Sequence, residues 1–70
     1  MKKISLDNGH SYMTAQEAMP EITRRNMWDT VVNMMDDDTR ETVHSELAPC
    51  TEVEFLTRYL ELANDDLIIG

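Results

Sequence analysis

The sequence has 70 residues, of which 14 are acidic and 6 basic, for a net charge of −8. A chain of this length supports only one small hydrophobic core, which excludes a large buried active site. Its charge disfavours nonspecific binding to nucleic acid or anionic membranes. The single cysteine, Cys50, excludes an internal disulfide, and no apolar run exceeds three residues, so no membrane span or signal peptide is expected. We therefore predict a single small acidic domain, residues 1–70, in the cytoplasm.

The first predicted element is a β-hairpin over residues 2–13. Asn8-Gly9 can supply the two positive φ angles that a type I′ hairpin turn requires. In the register that this turn sets, Ile4 lies opposite Met13. One face of the hairpin, with Ile4, Leu6 and Met13, is therefore expected to be buried.

Four helices are predicted to follow, over about residues 15–25, 27–35, 39–47 and 52–63. Thr14 and Glu17 have the spacing of a capping box at the start of the first helix. Pro20 is expected to interrupt this helix, because proline is poorly tolerated in a helix interior. Asp38 is predicted to cap the third helix, with Glu41 at its third position. The fourth helix carries the broadest apolar stripe of the chain.

The last predicted element is a short strand over residues 66–69, where Ile68 and Ile69 are β-branched. An isolated hairpin is only marginally stable, so this strand is expected to join the hairpin. The predicted fold class is α+β. A small N-terminal hairpin and the C-terminal strand form a three-stranded sheet, which packs against three to four short helices.

The acidic residues are concentrated in the second part of the chain. Residues 29–70 contain eleven acids against Arg40 and Arg58. One hypothesis is that this part imitates nucleic acid and binds a basic protein surface, since charge complementarity speeds encounter. The alternative is an acidic surface that only keeps the protein soluble. The candidate partner-binding residues are Asp36, Asp37, Glu52, Glu54, Glu61, Asp65 and Asp66.

A second candidate interface is apolar. Met27 and Met34 are seven residues apart on a predicted helix, and Trp28 adjoins the first of them. Methionine more often fills a core than lines a binding surface. The alternative function is therefore a small helical regulatory or assembly protein that forms a homodimer, or binds a partner, through Met27, Trp28 and Met34.

Metal and catalytic sites are not predicted. A calcium loop starting at Asp36 would place Arg40 at a ligand position and would lack the glycine of its turn. Cys50 precedes a helix and follows His44 by six residues, but no glycine between Gly9 and Gly70 could shape an oxyanion site. We expect no catalytic residue, no metal and no cofactor, and hence no enzyme.

The segment from Thr39 to Ala63 superficially suggests a helix-turn-helix motif, with APCT between the helices. Its second helix carries Glu52, Glu54 and Glu61 with only one arginine. These acids would repel phosphates, so direct binding of nucleic acid is not predicted.

The stretches MDDDTRETVHSELAPC, EFLTRYLELA and DLIIG, with the opening ISLDNG, resemble a family of small proteins carried on bacterial conjugative and phage-related elements. The resemblance covers most of the chain, and it implies a genomic context without implying an activity or site residues. Such elements often encode small acidic proteins that block restriction or CRISPR defences. We therefore expect a non-enzymatic protein-binding module of a mobile element, an inhibitor of a host defence or DNA-binding protein.

Overall fold

The computed structural model describes all 70 residues, and the chain is mostly helical. Its elements are β1 (Ile4–Ser5), α1 (Ala15–Arg24), α2 (Trp28–Met34), α3 (Asp37–Leu47), α4 (Glu52–Leu62) and β2 (Leu67–Ile68). None of the four helices combines the length and the apolar character needed to cross a membrane.

The predicted α+β fold with a three-stranded sheet is wrong. The only sheet has two strands, and β1 runs parallel to β2, with Ile4 paired to Leu67 and Ser5 to Ile68. The predicted hairpin over residues 2–13 is not formed. All that remains of it is one antiparallel bridge between Ile4 and Met13.

Side chains in the loop between Ser5 and Ser11 explain why the hairpin ladder does not extend. The Gly9 amide donates to Ser5 Oγ at 2.8 Å, and the Ser11 amide donates to Asp7 Oδ1 at 2.9 Å. The Asn8 amide donates to the carbonyl of Ile69 at 2.8 Å. Short polar side chains compete in this way with backbone ladders. Three amides of the loop are thus bonded outside any hairpin ladder.

Helix α1 continues through Pro20, so the interruption predicted there does not occur. Proline removes one intrahelical hydrogen bond, that to the carbonyl of Gln16, which lies on the exposed side. The capping box of Thr14 and Glu17 holds the first turn, and Ala18 and Ile22 are fully buried. Burial on both sides of Pro20 and a satisfied N-terminus offset the lost bond.

The end of α1 has the hydrogen bonds of a Schellman motif. Asn26 has a φ of +54°, its amide donates to Thr23, and the amide of Met27 donates to Ile22. Asparagine is one of the few residues that adopt this left-handed conformation readily. The turn separates α1 from α2.

Helix α4 is the centre of the packing, because it contacts both α1 and α3. Its buried side chains are Leu56, Tyr59 and Leu60. They join Ile22 of α1 and Val43 of α3 in a single core of 13 buried apolar residues. Burial of each large apolar side chain contributes about 1.5–3 kcal/mol. Tyr59 and Phe55 of this helix also each line a surface groove.

Candidate functional site

A groove of about 350 Å³ lies where the α2–α3 joint, the end of α4 and β2 meet. We call it the carboxylate groove. The residues that characterise it are Met34, Asp36, Tyr59, Asp65, Asp66 and Ile68. The structure therefore brings together three of the seven predicted partner-binding acids, although they are up to 30 positions apart in sequence.

Asp36 is fixed in this groove because it caps α3. Its Oδ2 accepts hydrogen bonds from the amide of Thr39 at 3.1 Å and from the hydroxyl of Thr39 at 3.0 Å. These bonds lower the pKa of the Asp36 carboxyl below its ordinary value. We predicted Asp38 as the cap of this helix. In the structure the cap is Asp36, so α3 begins at Asp37 rather than near residue 39.

Tyr59 also lines the groove, and in the sequence it is only one residue of the apolar stripe predicted for the fourth helix. The residue is 4 % exposed, and its hydroxyl accepts a 2.9 Å hydrogen bond from the amide of Asp36. A tyrosine in an apolar stripe carries a hydroxyl group, which needs a hydrogen-bond partner when it is buried. The partner, 23 positions earlier, had no local sequence signal.

Asp65 and Asp66 occupy the short connection between α4 and β2, and their roles differ. Asp66 Oδ1 accepts the amide of Lys3 at 2.9 Å, which fastens the N-terminal segment beside β2. Asp65 is exposed and makes no hydrogen bond or ion pair in the structure. Of the three groove acids, Asp65 is therefore the one without a structural role.

The other four predicted acids lie elsewhere. Asp37 pairs with Arg40 at 2.7 Å, and Glu61 pairs with Arg58 at 3.4 Å. Glu54 completes the capping box of Thr51, whose amide and hydroxyl lower the pKa of the Glu54 carboxyl. Glu52 lies at a separate depression beside Cys50. These four carboxylates are accordingly tied to local partners or lie apart from the carboxylate groove.

The predicted apolar interface is divided between two surfaces. Trp28 meets Phe55 edge to face, with ring centroids 6.2 Å apart, in an open groove of about 630 Å³ between α2, α3 and α4. Met34 is 54 % exposed but lies in the carboxylate groove, and Met27 packs partly buried against the core. The structure does not bring Met27, Trp28 and Met34 together as one patch.

Comparison with known proteins gives one match. A sequence model of the family described as Anti-CRISPR protein AcrIC5 matches residues 22–62, more than half of the chain. The chain belongs to this family. No curated protein and no solved structure matches the chain.

Membership of the AcrIC5 family supports the predicted resemblance to small proteins of mobile elements and is more specific than that prediction. It supports a mobile-element inhibitor of host defence that has a protein partner. The matched residues run from the end of α1 through α4 and include Asp36 and Tyr59. Asp65, Asp66 and Ile68 lie outside the match.

The residues weighed for catalysis do not form a nucleophile pair in this AcrIC5 family member. Cys50 is exposed, and it shares a shallow depression with His44, but no hydrogen bond joins the two side chains. Nucleophilic catalysis requires a base in hydrogen-bonding reach of the nucleophile and a third group that orients the base. The structure supplies neither.

No three His, Cys, Asp or Glu side chains are arranged to hold a metal ion. This holds for the acids of the carboxylate groove as well.

Proposed function

We propose that this protein is a non-enzymatic inhibitor that binds a protein component of a CRISPR defence through the acidic surface of its C-terminal part. Family membership supports the class of target. The observation that carries the proposal is the carboxylate groove, where three acids lie together and no cation of the chain forms an ion pair with any of them. Charges left free in this way are available to a partner.

The chemistry of the target favours the same conclusion. Proteins that bind nucleic acid present lysine and arginine to phosphates, and a carboxylate surface is complementary to them. The chain itself has eleven acids against two arginines in residues 29–70. An acidic protein placed on such a surface would exclude the nucleic acid by occupying its site, with no chemical step.

The binding test uses the purified protein and a purified CRISPR effector complex, at about 0.1 M and about 1 M salt. The Debye length falls from about 10 Å to about 3 Å over this range, so binding through exposed charges should weaken strongly. Target DNA should compete with the protein for the effector. Binding that salt leaves unchanged, binding that DNA does not oppose, or no binding to any effector type would contradict the proposal.

Matched variants separate the groove from net charge. The variant Asp65→Asn removes one charge from the groove, whereas Asp29→Asn removes one from the exposed face of α2, and neither aspartate makes an ion pair. We expect the first to weaken binding to the effector by about tenfold, which corresponds to about 1.4 kcal/mol. The second should change it much less. Equal effects would mean that only total charge matters.

A further inference from the structure

The open groove at Trp28 and Phe55 is longer than its main part. A shallow depression of about 270 Å³ adjoins the 630 Å³ groove, since Trp28 and Phe55 line both. We call the two together the aromatic groove. Its apolar wall consists of Trp28, Val32 and Phe55, all half-buried. Glu41 lines only the larger part and Glu52 only the smaller one. The groove therefore has an apolar middle and one acidic residue toward each end.

The main chain around the aromatic groove indicates the conformation of an occupant. Every residue that lines the larger part belongs to α2, α3 or α4, so no strand edge is open there to an extended segment. An occupant must therefore satisfy its own main-chain groups, as a helix does. Glu41 and Ala48, the C-cap of α3, are seven positions apart, which corresponds to about 10 Å along the helix. The groove thus has the length of two helical turns.

Charge distinguishes between a second copy of the chain and a different partner. Glu41 and Glu52 are exposed, and neither takes part in an ion pair of the chain. In a symmetric dimer the same surface faces itself, so these carboxylates would meet carboxylates. The net charge of −8 also opposes self-association. A helix that carries lysine or arginine beside its apolar residues is complementary to this groove.

The aromatic groove lies close to the surface on which the proposed function rests. Phe55 and Tyr59 are four residues apart on α4 and therefore on the same side of this helix. Tyr59 lines the carboxylate groove, so a partner that covers that groove is adjacent to the aromatic one. All residues of the aromatic groove also lie within the segment 22–62 that identifies the family.

We propose that the aromatic groove receives a basic amphipathic helix of the protein partner. Two apolar side chains of that helix, one turn apart, lie against Trp28 and Phe55, and its basic side chains lie beside Glu41 and Glu52. Aromatic side chains in a groove of this kind supply much of the binding energy of an interface. The inference rests on the proposed function and adds an apolar anchor to its charged surface.

The groove can be tested without the partner, because Trp28 is the only tryptophan of the chain and its fluorescence reports on the groove alone. The probe is an amphipathic helical peptide of about 15 residues that contains only leucine and lysine. The controls are a peptide of the same composition in scrambled order and one with glutamate in place of lysine. We expect the probe to move the Trp28 emission to shorter wavelength, and both controls to bind at least about tenfold more weakly. Calorimetric binding that leaves the emission unchanged, or equal binding of the scrambled peptide, would overturn the proposal.

Two variants with the same substitution separate the apolar wall from the rest of the surface. Val32 and Val53 are both half-buried and outside the core cluster, but only Val32 lines the aromatic groove. Val32→Thr should weaken binding of the probe at least about threefold, at about 0.1 M and at about 1 M salt alike, because salt does not screen apolar contact. Val53→Thr should have no effect. Glu41→Gln should weaken binding at the lower salt only. Equal binding by the two threonine variants would contradict the proposal.

The same variants, tested on the effector complex, separate this inference from the proposed function. Val32→Thr should weaken effector binding at least about threefold relative to Val53→Thr. If effector binding weakens with salt and is opposed by DNA, but the two variants bind equally, the proposed function stands and this inference is wrong. If the leucine-lysine peptide binds at Trp28 and no effector binds, the groove chemistry is upheld and the proposed function is wrong.

Discussion

The backbone amide of Asp36 donates a 2.9 Å hydrogen bond to the hydroxyl of Tyr59, which lies 23 positions later on α4. This bond joins the start of α3 to the central helix of the core. It also holds the cap of α3 beside the carboxylate groove. The hydroxyl oxygen of Tyr59 therefore connects the buried core to the charged residues of the groove.

The substitution Tyr59→Phe should destabilise the protein by about 1 kcal/mol, because the partly buried Asp36 amide loses its acceptor while the ring remains in place. The measurement is guanidinium chloride unfolding followed by far-UV circular dichroism. Tyr12→Phe is the control, since Tyr12 is 43 % exposed and its hydroxyl makes no hydrogen bond. The two variants should differ in unfolding midpoint, and identical midpoints would contradict the structural role of the Tyr59 hydroxyl.

The capping box at the start of α4 should be important for stability, because α4 contacts both α1 and α3. The Glu54 amide donates to Thr51 Oγ1 at 3.2 Å, and the Thr51 amide donates to Glu54 Oε1 at 3.0 Å. Thr51→Ala should cost about 0.5–2 kcal/mol. Thr30→Ala, on the exposed side of α2, should be neutral or slightly stabilising because alanine favours helix. A neutral Thr51→Ala in thermal unfolding would show that the cap is not needed.

Acid should destabilise the protein partly through Asp7. Hydrogen bonds from the hydroxyl and amide of Ser11, and from the hydroxyl of Ser5, lower the pKa of Asp7 from 3.8 to about 2. The unfolded chain therefore binds the proton more tightly, and the stability that the carboxylate contributes is complete above about pH 4 and is lost as the pH falls toward 2.

The variant Asp7→Asn should accordingly be less stable than the wild type at pH 7 and should lose less further stability between pH 4 and pH 2. Denaturant unfolding at a series of pH values measures both. Glu41→Gln, at a site with no hydrogen bond or ion pair in the structure, should keep the acid dependence of the wild type. Parallel curves for Asp7→Asn and the wild type would refute the assignment.

Gly9 has a φ of +87°, which side chains rarely adopt, although a Cβ there would meet only the Tyr12 hydroxyl at 3.4 Å. Gly9→Ala should therefore cost about 1–2 kcal/mol through backbone strain rather than through a clash. Asn8→Gly is the opposite change, because Asn8 already has a φ of +58° and glycine accepts that angle freely. It should stay within about 0.5 kcal/mol of the wild type in thermal unfolding. Similar losses for both variants would point to a different cause.

Leu60 lies fully buried on α4. Leu60→Ala should cost about 2–5 kcal/mol, because it removes buried methyl groups and leaves a cavity. A domain of this size has little stability to spare, so the variant should be largely unfolded at physiological temperature. Leu60→Met keeps the volume and should cost less than about 1.5 kcal/mol. Calorimetry that found the two variants equal would contradict the packing described for α4.

Some signals that lie within a few residues predicted local structure correctly. The capping box of Thr14 and Glu17 is confirmed, because both of its hydrogen bonds form within three positions. The cap of α3 was placed at Asp38, whereas Asp36 provides it. Both residues are suitable caps. Only Asp36 also donates its amide to the distant hydroxyl of Tyr59, a contact that local spacing does not show.

The sheet was predicted incorrectly because of both local and distant contacts. Asn8 and Gly9 do have the positive φ angles of a tight turn, but Ser5 and Asp7 side chains take the amides that a hairpin ladder would need. The strand that pairs with β1 comes from the other end of the chain. The carboxylate groove depends on this pairing, since it positions Asp65 and Ile68. Composition indicated an acidic surface without showing which acids meet.

The amide of Lys3 bonded to Asp66 joins residues 63 positions apart. Bringing such distant segments together is opposed by loop entropy until the intervening helices have packed, and long-range pairing of this kind slows folding. We expect α1, α3 and α4 to assemble first and the β1–β2 pairing to form last. The carboxylate groove includes Ile68 of β2, so it would be complete only after this pairing, and the surface that it offers would form in the last step of folding.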